Sequence, residues 1–187
     1  AEIHDFQKAF LIDQNVGRLF KRLDSLGVTK DTIVVYLNDN GPNSMRFVGN
    51  MRGMKARVDD GGIRSPLVFH WPAKVNAGDS SDALCAHIDL LPTILDACNV
   101  EVPGGHQLDG RSFLPRLRGE AGNPRDWVLC HYQPERGKTP GQFARTQQFK
   151  LYRDGRFYEV PGELKEEKDL GKSGAGQEIR QALHGLI

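Results

Sequence analysis

"DTIVVYLNDNGP", residues 31–42, is the stretch that decides the fold. Thr32 to Leu37 is an unbroken apolar or β-branched run, which in that length suits a strand. It is apolar on both faces, so it reads as the covered central strand of a parallel sheet. The run then stops at Asn38-Asp39-Asn40-Gly41-Pro42. In an open α/β sheet, ligands gather beyond the carboxyl ends of strands. A carboxylate and an amide placed there, before a forced turn, are candidates for a binding site. Upstream, Ile12, Val16, Leu19, Leu23 and Leu26 recur at helical spacing within an amphipathic helix over residues 3–26, and Gly27 follows as its C-cap. A helix leading into such a strand is half of an α/β unit.

Downstream, residues 38–66 read as a loop region with five glycines and two prolines. Leu67 to Trp71 reads as a second short buried strand, ended by Pro72. A helix is expected over residues 89–98, capped by Asp89 with Pro92 tolerated in its first turn. Beyond Gly119 and Gly122-Asn123-Pro124 the texture changes to short runs, 127–131, 142–146, 149–152 and 157–160. Asp154-Gly155 between the last two is a hairpin signal. These runs predict a small antiparallel sheet, followed by a final helix near 177–186. The expected organisation is therefore residues 1–122 as an α/β region and 123–187 as a small α+β region.

The formal net charge is +1, and apolar residues are 39% against 26% charged, the balance of a globular chain with no general case for nucleic acid or an anionic membrane as partner. No apolar stretch reaches the length of a membrane span. Cys85, Cys98 and Cys130 lack the spacing of a zinc or redox site and read as small buried apolar residues. The histidines are scattered, with no H-x-x-x-H pair for a helical zinc site.

Asp39 and Asn40 both present oxygen, which suits a hard cation such as Ca²⁺, with Mg²⁺ as the alternative, rather than zinc. The segment Met51–Pro66 then brings Arg52, Lys55, Arg57 and Arg64 together with Asp59 and Asp60 in a glycine-rich loop. Lys55 is a compact charge suited to an anionic group. Gly61-Gly62 permits close backbone approach. A solvated turn and a solvated basic loop are the plainer readings of the same residues.

Four blocks in order, "VVYLNDNGP", "GMK…DDGGIRSPLVFHWPAKV", "HIDLLPTILDACNV" and "LDGRSFLPRLRG", resemble the C-terminal part of sulfatases of the arylsulfatase type. The opening "DQNVGRLFKRLDSLG" and the closing "FKLYRDGRFYEVPGELKEEKDL" resemble the same family, so the likeness covers nearly the whole chain. It implies the C-terminal portion of an alkaline-phosphatase-like α/β fold, followed by the small antiparallel sheet and C-terminal helix. It implies a sulfuric ester hydrolase in which Asp39 and Asn40 ligate Ca²⁺ and Lys55 contacts the sulfate group of a sulfate ester substrate. Asp89 then reads as a helix cap and His87 as a hydrogen-bonded packing residue. His131, Tyr132, Arg136 and Arg145 fall where the leaving group could lie, though ordinary surface roles suit them better. Two departures stand out: Asp60 where the family has Glu, and Ala56 where it has Gly after the lysine.

The family's nucleophile is a formylglycine made from Cys or Ser in C/S-x-P-x-R, and no cysteine or serine of this chain sits in that motif. The family's N-terminal aspartate pair and its upstream lysine and histidine set are missing as well. The chain is thus expected to be a C-terminal fragment that carries half a site and is inactive alone. Its expected partner is a second copy or the missing N-terminal portion. The resemblance alone suggests a periplasmic, secreted or lysosomal location. Two alternatives remain open. One is a non-catalytic truncated homologue acting as a binding or assembly module. The other is a phosphoesterase of the same superfamily, although the absence of histidine between Asp39 and Arg64 disfavours its two-metal site. A nucleic-acid-binding loop has only Arg46, Arg52, Lys55 and Arg57 in its favour, without aromatic interleaving beyond Phe47.

Overall fold

The structure, a computed structural model, describes residues 2–133, 141–160, 165–166, 168–172 and 174–187. The chain divides into two compact units, Ala1–Tyr36 with Leu67–Asp79, and Leu37–Pro66 with Ser80–Ile187.

In the first unit, helix α1 (Glu2–Ser25) precedes strand β1 (Val34–Leu37), which pairs with β2 (Leu67–His70) in a two-stranded sheet. The helix ends as its sequence predicts. Gly27 takes φ +70°, its N–H donates to the Asp24 carbonyl (2.9 Å), and the Val28 N–H donates to Leu23 (3.2 Å), the double hydrogen bond of a left-handed glycine cap. The packed stripe of α1 differs from the expected one. Val16, Phe20 and Leu23 are half-buried, while Ile12, Leu19 and Leu26 are exposed. Phe20 meets His70 edge-on at 4.8 Å, which fixes that stripe against β2. The strand expected to be covered is not: Tyr36 and Leu37 are 40% and 43% exposed.

The second unit is built on an antiparallel sheet of β3 (Val128–Tyr132), β4 (Gly141–Arg145), β5 (Phe149–Tyr152) and β6 (Phe157–Glu159) in that order. All four residues of β5 are buried. Alternation sorts them. Phe149 and Leu151 join Ala144, Phe157 and Leu183 on the side covered by helix α5 (Gln177–His184). Tyr152 faces the other way with Phe143, Tyr158 and Val160, against Val58 and Ile63. The Asp154-Gly155 turn closes the last hairpin with Gly155 at φ +94°. The second unit also holds the short helices α2 (Asp60–Ile63), α3 (Leu90–Ala97) and α4 (Leu114–Leu117).

Asp89 anchors the start of α3, by a route the sequence does not show. Its carboxylate reaches back to the Ala86 N–H (2.8 Å), takes the Arg111 N–H (2.7 Å) and is gripped by Arg125 at 2.6–2.9 Å. Burial pushes its pKa up, but these donors outweigh burial and hold it below the usual carboxylate range. His87, expected to pack, is exposed. So are Cys85 and Cys98, while Cys130 is half-buried; all three thiols are free. The buried-cysteine reading fails because the segments holding Cys85 and Cys98 run along the surface. No helix among the described residues is long and apolar enough to cross a membrane.

Candidate active site

The turn after β1 and the Lys55 loop are fastened backbone to backbone. The Asn38 N–H donates to Pro66 (3.4 Å), Gly41 to Gly62 (2.8 Å), and Lys55 to Pro42 (2.9 Å), while the Ser65 hydroxyl donates to the Asn38 carbonyl (2.8 Å). Asp39, Asn40 and Lys55, far apart in sequence, therefore project from two segments of one hydrogen-bonded layer. Glycines make the layer thin enough to form. A Cβ on Gly41 would lie 1.9 Å from the Gly61 carbonyl oxygen, and one on Gly62 2.3 Å from that of Arg57.

Asp39 and Lys55 are exposed and Asn40 is half-buried. Among the described residues, no hydrogen bond or ion pair engages these three side chains. One carboxylate and one amide oxygen, both unengaged, fit a hard cation but give only two of the about six to eight oxygens that Ca²⁺ takes. No group of three or more His, Cys, Asp or Glu suited to a metal occurs among the described residues. The Lys55 ammonium offers a mobile cation to an anionic group.

The two positions that depart from the family pattern differ in surroundings. Ala56 sits at φ +67°, the left-handed region where a glycine carries no Cβ penalty. Asp60 is not part of the exposed loop surface. It is buried, with one oxygen 2.8 Å from Arg145 Nη1 and the other 2.7 Å from Lys150 Nζ. Burial raises its pKa, yet Lys150 and Arg145 hold it below the ordinary range.

Lys150 is the centre of this hidden cluster and carries no exposure. Its ammonium also meets Glu166 Oε1 at 3.0 Å and the Val58 carbonyl at 3.1 Å, and lies over the ring of Phe143 at 4.4 Å. The Tyr152 hydroxyl donates to Glu166. Burial, then the Glu166 contact, push that phenol's pKa far upward, so it stays protonated. Asp59 is held by Arg52 (3.3 Å) and Arg57 (3.2 Å). The sequence reading missed Lys150 and Glu166. The available signal was a lysine inside the strand "FKLY", at the same alternation position as Tyr152. Arg145, for which an ordinary surface role suited the sequence better than a leaving-group contact, is half-buried against Asp60. His131 and Tyr132 are exposed on edge strand β3, and Arg136 lies outside the described residues.

The chain is similar to known proteins along most of its length. The family described as Sulfatase matches residues 6–100, and the family described as N-sulphoglucosamine sulphohydrolase, C-terminal, matches residues 54–181. An N-acetylglucosamine-6-O-sulfatase of Bacteroides thetaiotaomicron is 34% identical over 147 residues, 75% of this chain and 25% of that protein. Human arylsulfatase A is 32% identical over 147 residues, 75% of this chain and 28% of its own length. A solved structure in complex with its substrate D-glucosamine-2-N,6-O-disulfate superposes with TM-score 0.77 at 25% identity, covering 95% of this chain and 37% of that one. The fold is shared with a sulfatase from Pseudoalteromonas sp. at TM-score 0.75 and 20% identity, over 94% of this chain and 40% of that one. The chain thus spans about a quarter of the two curated relatives named here. The Sulfatase family covers residues 6–100, about half of this chain, and these two curated relatives are 34% and 32% identical over 75% of it: the chain belongs to the sulfatase family.

Proposed function

We propose that the protein containing this chain is a sulfuric ester hydrolase, and that Asp39, Asn40 and Lys55 form one side of its site. The observation that carries the reading is the Lys55 N–H to Pro42 hydrogen bond, 2.9 Å, which fastens the lysine loop to the turn bearing the oxygen pair. Asp39 and Asn40 would hold a divalent cation, Ca²⁺ or Mg²⁺, which when bound polarises a sulfuryl oxygen. Lys55 binds the sulfate group and draws charge from it as the S–O bond to the leaving group breaks. This chain carries no C/S-x-P-x-R nucleophile motif, so the formylglycine and the remaining metal ligands belong to parts of the protein outside these 187 residues. The similarity to human arylsulfatase A over 75% of this chain supports a sulfate ester as substrate.

The test is turnover of an aryl sulfate by the full-length protein. Lys55→Ala is expected to lower kcat/KM by roughly 10²–10³-fold, the usual effect of removing one charge-stabilising donor. Chelation is expected to abolish turnover, with recovery on adding Ca²⁺, and Asp39→Asn to raise the Ca²⁺ concentration needed. A full-length protein that hydrolyses no sulfate ester, or a Lys55→Ala variant with unchanged kinetics, overturns the reading and leaves a non-catalytic binding module.

A further inference from the structure

The buried Lys150 cluster lies outside the proposed site yet is fastened to it through a short covalent and hydrogen-bonded route. Lys150 grips Asp60 at 2.7 Å, and Arg145 takes the other Asp60 oxygen at 2.8 Å. Asp60 opens α2, whose next two residues carry the seam: the Gly61 N–H donates to the Arg52 carbonyl (2.7 Å), and the Gly62 carbonyl accepts from the Gly41 N–H (2.8 Å). Those two bonds bracket the Lys55 loop on one side and the Asp39–Asn40 turn on the other. The opposite end of the cluster is rooted in the sheet, where Lys150 is wholly buried beside Glu166, Tyr152 and Phe143.

We propose that Lys150, acting through Asp60, is a positioning residue that sets where Lys55 stands relative to the Asp39–Asn40 turn. This rests on the sulfatase reading given above. A buried charge pair with further hydrogen bonds tolerates little displacement, because each carboxylate oxygen already has a fixed cationic partner. Positioning errors of about 1 Å at a distance can cost roughly 10²-fold in rate. The C-terminal sheet is then part of the sulfate-binding device and not only its support.

Asp60→Asn in the full-length protein is the sharpest variant: it keeps the side-chain size and leaves Lys150 paired with Glu166. Lys150→Met is the companion. The readout is the inhibition constant of inorganic sulfate against an aryl sulfate, which does not depend on the fraction of active molecules. Both variants are expected to raise it about fivefold or more, with KM rising in parallel. Asp154→Asn, at an exposed pair with Arg156 in the same sheet, is expected to leave it unchanged. A merely structural Lys150 would lower the melting temperature and the active fraction and leave the constant where it was. That result, in a wild type that turns over and loses activity on Lys55→Ala, overturns the positioning role alone. A wild type without sulfate-ester turnover overturns both. If Asp60→Asn does not fold, Glu166→Gln, which removes only the second carboxylate from Lys150, supplies the same readout.

Discussion

Lys150 Nζ lies 2.7 Å from Asp60 Oδ1 in a site with no solvent exposure of the lysine, so a residue of the C-terminal sheet and one of the candidate-site loop share a buried charge. Removing one partner of such a pair strands the others. Lys150→Met leaves Asp60 with Arg145 only and Glu166 with the Tyr152 hydroxyl. The expected loss is about 3–5 kcal/mol of unfolding free energy, read as a lower urea midpoint. The exposed pair Asp154–Arg156 gives the contrast: Asp154→Asn is expected to cost at most about 1 kcal/mol. Equal losses in the two variants would refute the central role of the buried cluster.

Ala56 pays a backbone penalty at φ +67° that glycine would not. The left-handed conformation costs an L-residue about 1–2 kcal/mol, partly offset in a glycine variant by the greater freedom of its unfolded chain. Ala56→Gly is therefore expected to stabilise the protein by about 0.5–1 kcal/mol in urea unfolding at neutral pH. A destabilised Ala56→Gly would mean that this backbone turn does not hold in solution.

The thinness of the 38–42 and 61–66 layer gives a third expectation. Gly41→Ala would put a methyl 1.9 Å from the Gly61 carbonyl oxygen, backbone that cannot swing aside. Gly104 faces open space and lacks a left-handed φ. Gly41→Ala should cost about 1–3 kcal/mol or more and raise amide exchange across residues 53–62, while Gly104→Ala should do neither. Comparable exchange in the two variants would show that the seam is not the constraint described.

Much of this was legible in the sequence because it lies in local signals. Helical spacing located α1, short apolar runs β1 and β2, and short runs between turn residues the four C-terminal strands, while Asp154-Gly155 and Gly27 marked the last hairpin and the end of α1. What was not legible depends on long-range partners. Phe20 rather than Leu19 faces inward on α1, because a helix with apolar residues on two sides is oriented only by what it packs against. Asp60 and Lys150 are 90 residues apart, and nothing in "DDGG" or "FKLY" alone says that the two meet. The same holds for Asp89, whose local capping signal hid a bidentate arginine supplied by residue 125.

That Asp89–Arg125 pair has a pH signature. The folded state holds the Asp89 carboxyl below its ordinary value through Arg125 and the N–H groups of Arg111 and Ala86, despite the upward push of burial. The unfolded-state value is about 3.9. A carboxylate with a lowered folded pKa binds fewer protons folded than unfolded. Its stabilisation is therefore complete above about pH 4 and drains away as pH falls through the folded value. Asp89→Asn, which leaves the nearly buried Arg125 without its counter-charge, should cost about 3–5 kcal/mol near neutral pH. The gap from wild type should then narrow steadily below about pH 4, as wild type loses the same interaction by protonation. Urea titrations of both proteins at neutral pH and at a series of acidic values would measure it. A gap that stays constant down the acid range would mean that Asp89 acts by shape and neutral hydrogen bonding, with no contribution from its charge.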